Sequence, residues 1–159
     1  MLLDSYLILK LLHVLSAVVV TGTGAGIAFF MFMAHRSNNP QAIYVTTKNV
    51  ILGDWIFTAP AMIALFITGL LLMNKLGYSF TSSWFYYVIG LFVFIGICWL
   101  PVLRIQYRLH KMAKISLDKG EVGTDFKRLM RLWTILGIPA FTAILIIFWL
   151  MVFKPFPIV

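Results

Sequence analysis

Four long apolar stretches dominate the chain, and most of its charge is collected in the segments between them. A helix needs about 20 mostly apolar residues to cross the hydrocarbon of a bilayer. The pattern predicts spans at about 6–34, 54–74, 84–107 and 130–153, joined by connections at 36–53, 75–83 and 108–129. No internal repeat or low-complexity tract interrupts this plan, so a single membrane domain over residues 1–159 is expected. The opening MLLDSYLILK places Asp4 before the first lysine, and its apolar stretch runs well past the core of a cleaved signal. The first helix is therefore expected to stay.

Composition sharpens this reading. Hydrophobic residues make up 62% of the 159, and mean hydropathy is +0.97. Charged residues are 11%, against about 25% in soluble domains. The expected fold class is an all-α integral membrane protein, a four-transmembrane-helix bundle. The single Cys98 completes no disulfide within the chain and no cysteine-based metal site.

A net charge of +8 would fit a nucleic-acid partner if it were spread over one soluble face, but it is sorted by membrane side. Arg36, Lys48, Arg104, Arg108, Lys111, Lys114, Lys119, Lys127, Arg128 and Arg131 fall on one side, and Lys10, Lys75 and Lys154 on the other. Lysine and arginine mark the cytoplasmic side. Both termini are then expected outside, in the periplasm of a bacterial inner (plasma) membrane. The basic loop would meet anionic lipid or a cytosolic partner, and no nucleic acid is expected.

Pro60, Pro101 and Pro139 stand at comparable depth in spans two, three and four. Each removes a backbone donor and favours a kink. Gly22, Gly24 and Gly26 lie in the same half, and Gly22–Gly26 has the spacing of a close helix approach. Packing accounts for these residues, as does a ligand or access path where broken backbone lines a cavity. The aromatic run WFYY at 84–87 reads as an interfacial belt, and together with the glycine ridge it offers a face for a homo-oligomer.

The ionisable residues inside the apolar runs carry whatever chemistry there is. His13 lies about two turns below the outer surface, on a face that continues through Ser16, Val20, Thr23 and Ile27. A neutral imidazole at that depth can ligate haem iron, relay protons or hydrogen-bond a neighbouring carbonyl. His35 and His110 fall near the inner headgroups, where they are interfacial residues, a metal pair of their own, or partners across the first and third helices. Asp54 opens the second span, as a cap of its free amides or as a proton carrier near Thr58 and Pro60. If His13 binds haem, a second ligand at its depth is offered by Met73, by Trp84, Tyr86 or Tyr87, or by Met151.

The stretches GDWIFTAPAMIALFITG, CWLPVLRIQYRLHKMA and LGIPAFTAILIIFWLMVFKPF resemble a bacterial family of four-span integral membrane proteins known only as a domain of unknown function. More loosely, the plan is similar to HemJ-type protoporphyrinogen oxidases and CopD-type copper-resistance membrane proteins. Lys10-Leu11-Leu12-His13 matches the lysine-x-x-histidine of the HemJ-type first helix, and His35 a histidine near its far end. Pro60-Ala61-Met62 and Lys154-Pro155-Phe156 match two further stretches. Trp84-Phe85-Tyr86-Tyr87 stands where that family carries a third-helix histidine. The resemblance implies b-type haem near His13.

The expected function is thus a membrane-embedded protein binding haem b or a related porphyrin, with electron transfer or oxidation coupled to the quinone pool. The alternatives are a non-enzymatic transport or accessory protein for a small solute or copper, and a structural subunit of a larger membrane complex.

Overall fold

A computed structural model describes the backbone of residues 2–157 and the side chains of residues 5–157; the side chain of Asp4 lies outside the described residues. The described chain is helical, with no strand: α1 (Leu2–Ser37), α2 (Pro40–Gly53), a π-helical turn (Asp54–Thr58), α3 (Ala59–Leu76), α4 (Ser83–Lys119) and α5 (Thr124–Phe153). α2, the π turn and α3 run on as one helix, Pro40–Leu76, so four helices are long and apolar enough to cross a membrane. Much of the apolar surface faces outward, Phe30 and Ile97 each being 64% exposed. Lipid, not water, is the solvent that such a surface fits.

Two of the expected connections are mostly helix. The segment 36–53 shrinks to a turn at Asn38 and Asn39, and 108–129 to residues 120–123. The reason is local. Asn39 caps α2, its Oδ1 accepting from the amides of Gln41 (2.9 Å) and Ala42 (3.3 Å), and Pro40 fills the first helical position. Gly120 ends α4 with φ +74°, a left-handed conformation that glycine adopts without strain. At 37 residues each, the α2–α3 helix and α4 are about 55 Å long, against about 30 Å of hydrocarbon. Their polar ends therefore extend the bundle past the apolar layer.

The helices pack differently at their two ends. At the basic end, the last turns of α1, all of α2, the second half of α4 and the start of α5 enclose a core around Met31, Ile43, Leu109, Ala113, Phe126 and Met130. At the terminal end, where the termini and the 77–82 loop meet, α1 pairs with α3 and α4 with α5. α2 lies close along α4, but past the π turn α3 brings its backbone close to neither α4 nor α5. Side chains still span that gap, Phe66 stacking on Phe92 at 5.5 Å. The π turn ends two residues before Pro60, whose missing N–H and bulky ring disturb a regular α turn. The helix lies along α4 before this turn and apart from it afterwards.

Three expectations change here. Asp54 opens no helix: it lies in the middle of Pro40–Leu76, and the cap belongs to Asn39. The Gly22–Gly26 ridge serves no close approach among the described residues, because a Cβ added at Gly22, Gly24 or Gly26 would meet none of them within 4 Å. Within WFYY, Trp84 is buried and donates its indole N–H to the Leu150 carbonyl at 2.9 Å, while Tyr86 and Tyr87 face outward.

Candidate functional site

A cavity of about 530 Å³ opens between the α1–α3 and α4–α5 pairs at the terminal end. Its walls are mostly aliphatic and aromatic, with Tyr6, Lys10, Tyr78 and Lys154 among its polar lining residues. Lys154 donates to the Tyr78 hydroxyl at 2.7 Å, and Lys75 donates to Ser5, tying α3 to the start of α1. Lys10 and Lys154 are exposed, so they ring the cavity with positive charge rather than fill it.

His13 lies half-buried on the α1 wall of this cavity. Its Nδ1 is 3.0 Å from Thr68 Oγ1 on α3. With the Thr68 hydroxyl donating to the Ala64 carbonyl at 2.6 Å, its oxygen is left to accept from His13, which assigns the proton to Nδ1. In the neutral ring this leaves the lone pair on Nε2. Gly69 leaves room for the ring in this position, since a Cβ there would stand 3.2 Å from His13 Cε1 and push it back slightly. An imidazole whose one nitrogen is tied to a neighbouring helix and whose other is unprotonated is oriented as metal-ligating histidines usually are.

The other sequence-predicted residues divide. Met73, buried on α3, and Met151, half-buried on α5, line the same cavity as His13. Tyr86 does not: it is 59% exposed on the outer face of α4, two residues and roughly 200° around the helix from buried Trp84. Tyr87 also points away and stacks on Phe156 at 4.6 Å. His35 and His110 are both at the basic end and do not pair with each other. His110 Nδ1 donates to Thr47 Oγ1 at 3.0 Å, the Thr47 hydroxyl being spent on the Tyr44 carbonyl, and its ring stacks on Tyr44 at 5.0 Å. The His35 ring lies 5.9 Å from Phe126. Ser16 and Thr21 hydrogen-bond carbonyls of their own helix. Among the described residues no three His, Cys, Asp or Glu side chains gather, so an iron here would rest on His13 and a thioether.

A second cavity, about 400 Å³, lies toward the basic end and holds Asp54. Asp54 is 4% exposed and accepts from Gln106 Nε2 of α4 at 2.8 Å. Thr58 and Trp99 also face the carboxylate, without completing a hydrogen bond. Sequence reasoning passed over Gln106, Trp99 and Trp133 because none is ionisable. The available signal was a glutamine inside the third apolar run.

Val20, Met62, Ile95 and Ile144 line both cavities. One residue from each of α1, α3, α4 and α5 thus forms an apolar partition between them. The sequence was expected to put histidine and carboxylate at different depths, and the structure puts them in different chambers.

A family model described as "Predicted integral membrane protein (DUF2269)" matches residues 7–155. No curated protein gives a significant match to the chain. No solved structure does so either.

Proposed function

Since the chain belongs to the DUF2269 family of predicted integral membrane proteins, we propose a function from its own site chemistry: it binds a b-type haem, or a related metalloporphyrin, in the terminal cavity through His13. The observation that carries this reading is the His13 ring itself, held at Nδ1 by Thr68 and presenting an unprotonated Nε2 beside an apolar chamber. Neutral imidazole is the commonest protein ligand for metals, and a chamber of this size lies within the range of small-molecule sites.

The surrounding residues fit a flat, apolar ligand with anionic edges. Aromatic and aliphatic walls exclude water from the centre, Lys10 and Lys154 at the rim match carboxylates, and Met73 or Met151 supplies a thioether in the same chamber. When bound, such a cofactor supplies one-electron chemistry, while the protein sets its ligation and dielectric. The role that follows is electron transfer or oxidation with a membrane quinone as redox partner, in the bacterial inner membrane with both termini outside. The unpacked Gly22–Gly26 ridge supports self-association of such a protein.

The test is addition of haem to the purified full-length protein in detergent. A sharp Soret band that saturates near one haem per chain supports the reading. A spectrum identical to haem in protein-free micelles overturns it.

A further inference from the structure

The basic-end cavity has no part in that reading, and its chemistry is unlike that of the His13 chamber. Asp54, Gln106, Thr58 and Trp133 are all more than nine-tenths buried, and all line it. Among the described residues, Gln106 Oε1 and the Trp133 indole nitrogen have no hydrogen-bond partner, while Thr58 Oγ1 and the Trp99 indole nitrogen have only the Asp54 carboxylate before them. An unpaired amide oxygen on the residue that holds a buried carboxylate is a combination that a packed interior seldom leaves. No lysine, arginine or histidine stands among the described residues lining the cavity. A buried carboxylate without a cation is strongly disfavoured unless it takes up a proton, and a cationic ligand offers its positive charge in that proton's place.

The shape of the cavity narrows what brings that charge. Its polar head, Asp54 and Gln106, lies level with exposed Arg104 and Arg108 on α4, the depth at which basic side chains reach headgroups. From there the lining becomes apolar, ending at the partition formed by Val20, Met62, Ile95 and Ile144. A bare divalent cation needs about six or more oxygens, which one carboxylate and one amide do not provide. An ammonium on an apolar body suits the acceptors here, the Asp54 carboxylate and Gln106 Oε1, whereas the donor-only indole N–H groups take no hydrogen bond from it. Its N–H groups donate to Asp54 and to Gln106 Oε1, tryptophan rings favour its charge, and its apolar part fills the deeper cavity.

We infer that the basic-end cavity is a binding site for an amphipathic organic cation, with its ammonium head at Asp54 and Gln106 and its apolar body directed toward the partition. This site is separate from the His13 chamber and stands or falls independently of haem.

The experiment compares two probes of matched shape, 4-phenylbutylammonium and 4-phenylbutanol, on full-length protein in uncharged detergent. Binding is followed by tryptophan fluorescence and by calorimetry, with protein-free micelles subtracted. The ammonium should bind at least about tenfold more tightly than the alcohol, as expected of a charge-assisted hydrogen bond to a buried carboxylate. Asp54→Asn should erase that preference and leave the alcohol's affinity unchanged. Gln106→Leu, which keeps the carboxylate, should weaken the ammonium and not the alcohol. The wild-type comparison decides even if a variant fails to fold. Equal affinity for the two probes, binding of neither, or a preference that survives Asp54→Asn would overturn the assignment.

Discussion

The two ends of this bundle are built from similarly apolar helices, yet one closes into a core and the other opens into a chamber. At the basic end α2 lies along α4, and small residues such as Ala34, Thr47 and Ala113 let the helices meet around Phe126 and Leu109. At the terminal end the same long helix, now α3, has left α4, and a 530 Å³ cavity fills the difference. The change happens at Asp54–Thr58, just before Pro60. Apolar composition makes a span, but helix register decides whether two spans touch. The π turn at Asp54–Thr58 stands where the long helix parts from α4, with Asp54 and its smaller cavity at the turn and His13 and the larger cavity beyond it.

The comparison predicts unequal costs for the same substitution. Phe126→Ala, in the basic-end core at 1% exposure, should destabilise the protein by about 3–5 kcal/mol, the usual range for emptying a closed site. Phe85→Ala, half-buried on the wall of the terminal cavity, should cost less than about 2 kcal/mol, because its loss enlarges space already present. Thermal unfolding of both variants in one detergent checks this. Equal losses would mean the terminal chamber is as tightly packed as the core.

Smaller effects sharpen the terminal half. Thr68→Val removes the acceptor that fixes His13 Nδ1 and should weaken haem binding roughly 10–100-fold, as loss of an outer partner does at other metal sites. Titration of haem into the variant reads this directly. Gly69→Ala sets a Cβ at 3.2 Å from His13 Cε1, so the ring must give way, at a cost of about 1 kcal/mol. It should appear as a shifted Soret maximum with little change in stability. Tyr86→Phe should change neither spectrum nor stability, since Tyr86 faces outward. A spectral change in that variant would return Tyr86 to the ligand set.

Much of this plan is legible in the sequence, and particular residues show where legibility stops. The four apolar runs announce their helices. The helices at 40–53 and 108–119 do not: the second is rich in lysine and arginine, and the first sets Pro40, Gln41, Thr46, Thr47, Lys48 and Asn49 among its apolar residues, so both resemble loop composition when read for hydropathy alone. The Asn39–Pro40 pair was the readable signal, an N-cap followed by a first-turn proline. His13 stands out as the ionisable residue in an apolar run, but its partner does not. A threonine in a membrane helix ordinarily bonds its own carbonyl, as Thr68 also does, and only the pairing of α1 with α3 brings it to the ring. Tyr86 misleads for the opposite reason, since its depth suits a ligand and its helical face does not. Gln106, Trp99 and Trp133 acquire meaning only once α4 and α5 are seen to close on Asp54.

Under the proposed function the terminal half holds the ligand at His13, and the basic half is structural with respect to that ligand. The most direct measurement is the absorption spectrum of haem-titrated wild type beside His13→Ala and His110→Ala, each purified as the full chain. The account predicts a Soret band in wild type and His110→Ala, and only the micellar haem spectrum in His13→Ala. A band that persists in His13→Ala, or one that vanishes in His110→Ala while the protein stays folded, would contradict it.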